Sequence, residues 1–237
     1  MIREEETKET KETREQMLLL YSACSLVSLV SLVSSRYDQH MQQNMTAGKL
    51  VLLMGPSGVG KSVILKELRR KHPEFVFPKS ATTRERRKGE GDDLYHFVTE
   101  VSFDAMLAEG KVLESAVVHG GARYGTLIEE ILPAIQSGKT VVREVDVQGY
   151  DSIRTHQFFR NPDAPYQLQS IFIMPENRAQ LIARITKRAP ISAEELERRI
   201  ASMDRELTYA KLCDAQVVNH DGKIAGTIGE VERVIRE

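Results

Sequence analysis

From position 49 onward, short apolar runs alternate with longer amphipathic stretches, and the two periods predict the elements. "LVLLM" (50–54) is unbroken and apolar, as a strand buried on both faces requires. Residues 61–70 follow as a helix stopped by "KHPE", and short β-like pieces fall in the polar, basic stretch 75–100. A helix is expected over 102–109, capped by Ser102 and closed by Gly110. "KVLESAVV" (111–118) alternates like a half-exposed strand, and 126–136 reads as a helix. "TVVREVDV" (140–147) and "LQSIFIM" (168–174) are further buried strands, the second ended by Pro175. Two charged helical patterns follow at 177–187 and 193–210, then a strand "AQVVN" (215–219) and a last helix over 223–236. The segment "THQFFRNPDAP" (155–165) reads as the long loop, and no internal repeat is visible. Strands alternating with helices predict an α/β fold, a parallel sheet flanked by helices on both faces.

The first 45 residues follow neither period. A leader of Glu, Lys, Thr and Arg precedes "MLLLYSACSLVSLVSLVSS", an apolar run diluted by serines at every third position from Ser22 to Ser34. Its length approaches a short membrane span, but the glutamate-rich leader is not that of a secretory signal. Residues 1–45 are therefore expected to be an extension foreign to the domain, disordered or not native, with Met41 or Met45 as an alternative start; a membrane anchor is the competing reading. The domain itself is expected over 46–237.

Composition narrows the partners. The chain has 237 residues, 41% hydrophobic and 28% charged, as one domain with an ordinary core needs. A net charge of −1 argues against a dedicated nucleic-acid or membrane-surface binder, so small-molecule partners are expected. The two cysteines, Cys24 and Cys213, have no paired spacing, which excludes a disulfide scaffold or cysteine zinc site and fits a reducing cytoplasm. The six histidines show no ligand spacing. Oligomeric state stays open.

The chemistry starts at "GPSGVGKS" (55–62), which matches G-x-x-x-x-G-K-[ST] between an apolar strand and a helix. Gly55, Pro56, Ser57, Gly58, Val59 and Gly60 would turn backbone N–H groups around the triphosphate of ATP at the positive end of a helix. Lys61 would reach the β and γ phosphates, and Ser62 would bind Mg²⁺. In "VVREVDVQG" (141–149), Asp146 is placed at the C-terminal end of a buried strand, where it could hold the same ion through water. A second stretch, "SATTRERRKGEGDDLYHF" (80–97), offers hydroxyls, Arg84, Arg87 and Tyr95; two guanidinium forks and a phenol suit another phosphate. Alone, that stretch reads first as a solvated charged loop.

Seven segments in order, "GPSGVGKS", "SATTRERRKGE", "DLYHFV", "LESAVVHG" with "YGT", "VDVQG", "RITKR" and "VVN", make residues 48–236 resemble the guanylate kinase family. The resemblance implies a smaller mixed-β GMP-binding region at about 79–126 and a helical lid at about 177–208. It implies transfer of phosphate from ATP to GMP or dGMP. It also assigns Ser80, Arg84, Arg87, Tyr95 and Tyr124 to GMP, Glu114 and Thr126 to guanine, Asp146 to the GMP side as well as the metal, and Asn219 to the neighbourhood of the adenine. A carboxylate suits guanine because its acceptors meet the N1–H and N2–H donors. Arg184 and Arg188 share a helix face, and the resemblance makes them, with Arg199, the lid arginines that stabilise the transferring phosphoryl group. Lys61 and Asp146 complete the expected catalytic set.

Departures from the family pattern remove no residue that the chemistry requires, but modest turnover is expected from them. Arg86 stands where the family has a proline, Asp92-Asp93-Leu94-Tyr95 replaces G-x-D-Y, and Ala189-Pro190 follows Arg188 in place of Gly-Thr. Glu144 supplies the second acid before Asp146, while Arg143 is odd on a buried strand. Two rivals stay open: a kinase of another phosphate ester such as ribose 1,5-bisphosphate, and a non-catalytic binding module of the same fold.

Overall fold

The computed structural model describes residues 48–117, 121–160, 163–188 and 192–237, with the Arg188 side chain excepted. The expectation for residues 1–45 lies outside them.

Two sheets organise these residues. β1 (Lys49–Met54), β6 (Val141–Glu144), β7 (Gln167–Pro175) and β8 (Ala215–Asn219) form a parallel sheet in the order β6-β1-β7-β8. Leu50 to Met54 are fully buried, which explains why β1 has no polar alternation: helices cover both of its faces. On one face Val51, Leu53 and Ile173 pack with Ile64 and Leu68 of α1 (Lys61–Lys71) and Val231 of α7 (Ile224–Arg236). On the other, Leu50, Leu52 and Phe172 pack with Ile131 and Ile135 of α3 (Ile128–Gln136) and Ile153 of α4 (Val147–Thr155). Neighbours β6 and β7 lie on opposite sides of β1, so the end of β1 opens at a switch point of the sheet, where α/β folds bind ligands.

The second sheet is smaller and mixed, as the resemblance implies. β2 (Ser80–Thr82) pairs in parallel with β3 (Tyr95–Phe97) and antiparallel with β5 (Arg123–Leu127), which pairs antiparallel with β4 (Val112–Val117). α2 (Glu100–Ala108) covers it through Phe103. The charged C-terminal half supplies α5 (Arg178–Arg188) and α6 (Ala193–Leu207).

Four boundaries differ from expectation, each for a physical reason. Residues 123–127 are a strand, not the start of a helix; antiparallel pairing on both sides takes them, and only Ile131 and Ile135 carry the helical period. α2 is capped by Thr99, whose side chain accepts the Ser102 N–H, so Ser102 is the capped residue rather than the cap. The strand expected through 147 ends at Glu144. Asp146 caps α4 instead, accepting the Gly149 N–H at 2.8 Å, and Gly149 in the first turn hid that helix. The helix expected to reach 210 stops at Leu207 and tightens to a 3₁₀ turn over Thr208–Leu212.

Candidate active site

The loop between β1 and α1 carries the motif at the switch point. Its glycines are required by geometry. Gly60 has φ 109°, and a Cβ there would stand 2.7 Å from Nδ2 of Asn219; at Gly55, with φ 137°, it would meet the Ile173 carbonyl at 2.4 Å. Lys61 folds back over the loop, donating to the carbonyls of Gly55 at 2.6 Å and Pro56 at 3.3 Å, with Oε1 of Glu144 3.7 Å away. Ser62 Oγ donates to Oε2 of Glu144 at 3.1 Å. The acid that touches the loop is therefore Glu144, the last residue of β6, while exposed Asp146 lies two residues on and spends Oδ1 on α4.

Asn219 at the end of β8 is 3% exposed. Its Nδ2 donates to the Val59 carbonyl at 2.7 Å, and its Oδ1 accepts from Thr227 at 3.1 Å. Expected near the adenine, it also braces the phosphate loop. Replacing Asn219 by Ala is expected to cost about 1–3 kcal/mol, by leaving buried polar partners unmet, read as a lower midpoint in urea unfolding.

A cavity of about 780 Å³ faces Ser62 and Glu144, and also reaches Asp146, Ser80, Tyr95, Tyr124, Glu114 and Arg143. Ser80, Tyr95 and Tyr124 sit on β2, β3 and β5; Glu114 sits on β4. The Tyr95 and Tyr124 rings meet edge to face, 5.7 Å apart, and burial pushes the Tyr95 phenol up from its ordinary value, with Tyr124 adding to the shift.

Beyond the tyrosines, Arg84 Nε donates to the Tyr124 hydroxyl at 3.0 Å and Nη2 to Glu90 at 2.7 Å. That hydrogen bond raises the Arg84 guanidinium above its ordinary value and draws Glu90 down to about 2, helped by the Arg87 backbone N–H. Arg87 itself is exposed. Arg86, the proline replacement, pairs with Asp92, donates to the Glu90 carbonyl at 3.1 Å and lies over Phe97 at 4.2 Å. It clasps the turn that presents Arg84.

Glu114 is the buried acid of this wall, and its Oε1 is heavily engaged. Thr126, itself fully buried, donates its hydroxyl to Oε1, and Arg143 Nη2 donates to the same atom at 3.2 Å. Arg143 Nη1 donates to Ser80 Oγ at 3.1 Å. Burial pulls the Arg143 guanidinium below its ordinary value, and the Glu114 charge and hydrogen bond oppose it. Glu114 was legible as an acid on a strand; its pairing with Arg143 was not, because a two-strand contact leaves no local signal.

The lid arginines are distributed unequally. Arg184 on α5 donates to the Val59 carbonyl at 3.4 Å and pairs with Asp221 at 3.0 Å, so it already touches the loop. Arg199 on α6 pairs with Glu195 at 2.9 Å and shares a cavity of about 210 Å³ with Ser57. Arg188 closes α5; its side chain lies outside the described residues. Among the described residues no cluster of three or more His, Cys, Asp or Glu could hold a metal, and no helix is long and apolar enough to cross a membrane.

A phosphate loop at a sheet switch point, opening on a basic, tyrosine-lined wall with a buried acid, defines a P-loop kinase of a second phosphate-bearing molecule. The family model for guanylate kinase matches residues 47–237. The guanylate kinase of Nostoc sp. is 40% identical over 185 residues, 78% of this chain and 88% of that protein. That of Nocardia farcinica is 39% identical over 183 residues, 76% of this chain and 91% of that protein. The crystal structure of guanylate kinase from Anaplasma phagocytophilum shares the fold, with a TM-score of 0.59 and 24% identity over 81% of this chain and 86% of that one. The chain belongs to the guanylate kinase family.

Proposed function

We propose that the chain transfers the γ-phosphoryl group of ATP to GMP, giving ADP and GDP, and accepts dGMP likewise. The observation that carries this reading is the single cavity that joins Ser62 and Glu144 of the donor side to Ser80, Tyr95, Tyr124 and Glu114 of the acceptor side. Family membership supports it, as do the curated relatives that bear the enzyme's name.

The GMP phosphate oxygen is the nucleophile and is ionised at neutral pH, so alignment and charge neutralisation carry the catalysis. Gly55 to Ser62 hold the ATP phosphates; Lys61 exchanges its loop carbonyls for the β and γ oxygens. Arg84 and Arg87, with Tyr95, Tyr124 and Ser80, hold the GMP phosphate, and Glu114 faces the donor edge of guanine. Arg184, already at the loop, with Arg188 and Arg199, meets the charge that develops on the transferring group. Closure of α5 and α6 over it excludes the water that would otherwise hydrolyse ATP.

Mg²⁺ fits the donor set: Ser62 Oγ and the Glu144 carboxylate are hard oxygen ligands 3.1 Å apart, with exposed Asp146 nearby, and such an ion takes few protein ligands beside substrate phosphates. When bound it would offset phosphate charge. The net charge of −1 supports small-molecule substrates over nucleic acid, and the two cysteines support a cytoplasmic setting.

The test is ADP release, coupled to a detector, with GMP, dGMP, AMP, UMP and ribose 1,5-bisphosphate as acceptors. GMP and dGMP are expected to turn over, with AMP and UMP at least about a hundredfold less efficient. Preference for ribose 1,5-bisphosphate would overturn the guanine assignment, and turnover of no acceptor would leave a binding module.

A further inference from the structure

The pair Arg143–Glu114 sets a limit on how the base is read, given the assignment of Glu114 to guanine. A carboxylate oxygen has two lone-pair sites. Both sites of Oε1 are taken: one by the Thr126 hydroxyl, the other by Arg143 Nη2 at 3.2 Å. Oε2 has neither donor, and its close neighbour is Gly149, where a Cβ would stand only 3.1 Å from Oε2 and crowd it. Arg143 is fixed in this position. Its other arm donates to Ser80 Oγ at 3.1 Å, and its buried Nε has no partner, so the guanidinium is held where it is at a cost.

A guanidinium carries the same arrangement of N–H donors as the N1–H and N2–H edge of guanine. Where a base would place two donors across both oxygens, Arg143 has already placed one on Oε1. We propose that Arg143 is a positioning residue that shares Glu114 with the substrate, so that Glu114 reads one donor of the base through Oε2 instead of two. The carboxylate then senses N1–H, which every 6-oxopurine offers, and contributes little to sensing the 2-amino group. Recognition by Glu114 is thereby broadened from guanine toward 6-oxopurine monophosphates, and the choice between GMP and IMP is weakened by a residue that need not touch either.

Steady-state kinetics with GMP and with IMP, which lacks the 2-amino group, test this in the native chain and in Arg143→Met. In the Met variant Oε1 regains a free site. GMP fills it with its second donor, whereas IMP leaves it unmet, so the GMP-to-IMP ratio of kcat/KM is expected to rise about tenfold to a hundredfold above the native ratio. The change is expected in the KM of the monophosphate, with the KM for ATP within about twofold. Arg143→Lys, which keeps a cation for the buried acid, is expected to give an intermediate ratio, and it decides the question if the Met variant does not fold. A ratio that stays at the native value, with both monophosphates weakened in parallel, would make Arg143 a structural ion pair and overturn the proposal. Turnover of neither monophosphate by the native chain would instead overturn the assignment of Glu114, and this proposal with it.

Discussion

Replacing Glu114 by Gln raises the KM for GMP by about a hundredfold or more and leaves the KM for ATP unchanged within about twofold. The argument is one of donors and acceptors. The native carboxylate only accepts, and two donors converge on it, Thr126 and Arg143, with the base as the proposed third. Gln brings an NH₂ group into the same space, so one donor must face another, and Arg143 loses its counter-charge in a buried site. Sites whose buried polar groups are left unpaired discriminate by on the order of 10⁴-fold at the upper end. The proposed site for the ATP phosphates is a different segment, the loop at 55–62, which is why their affinity is expected to be spared. Separate titrations of KM for each substrate check the result; an unchanged KM for GMP removes Glu114 from the base site.

The second large effect is expected at Lys61. Lys61→Met lowers kcat by about 10²–10³-fold, with a normal unfolding midpoint. The ammonium is a point charge on a flexible stem, at present satisfied by the Gly55 and Pro56 carbonyls and close to Glu144. Removing a fixed cation that meets developing charge costs about that much in comparable sites. Stability is largely spared because Met fills the stem's volume. Single-turnover ADP formation at saturating ATP and GMP is the measurement; a kcat within about tenfold of the native value would return the charge stabilisation to Arg184 and Arg199.

Much of this site is legible in the sequence, and the limits follow from range. The phosphate loop was readable because its residues are contiguous and its chemistry needs glycines at fixed spacing. β1 was readable because burial on both faces erases alternation. The resemblance assigns Ser80, Arg84, Arg87, Tyr95, Glu114, Tyr124, Thr126 and Asp146 to GMP; Ser80, Tyr95, Glu114, Tyr124 and Asp146 line one cavity, Arg84 is bonded to Tyr124 and Thr126 to Glu114 behind it, and Arg87 is exposed outside it. What failed to show were contacts between distant segments. Thr126 read as a helix start because the helical period of 128–136 overran it, and its strand identity comes only from β2 and β4. Asp146 outranked Glu144 on the sequence because an acid at a strand end draws the eye, yet the strand stops two residues sooner. Arg143 looked misplaced on a buried strand until Glu114 and Ser80 supplied its partners.

The brace on the phosphate loop also bears on the order in which the chain is made. The Val59 carbonyl is met by Asn219, 160 positions further along, and by Arg184, 125 positions along. A ribosome delivers these supports more than a hundred residues after the loop, so the loop exists without them while the intervening chain is made. β8 and α5 thus complete a loop whose motif lies far upstream of them.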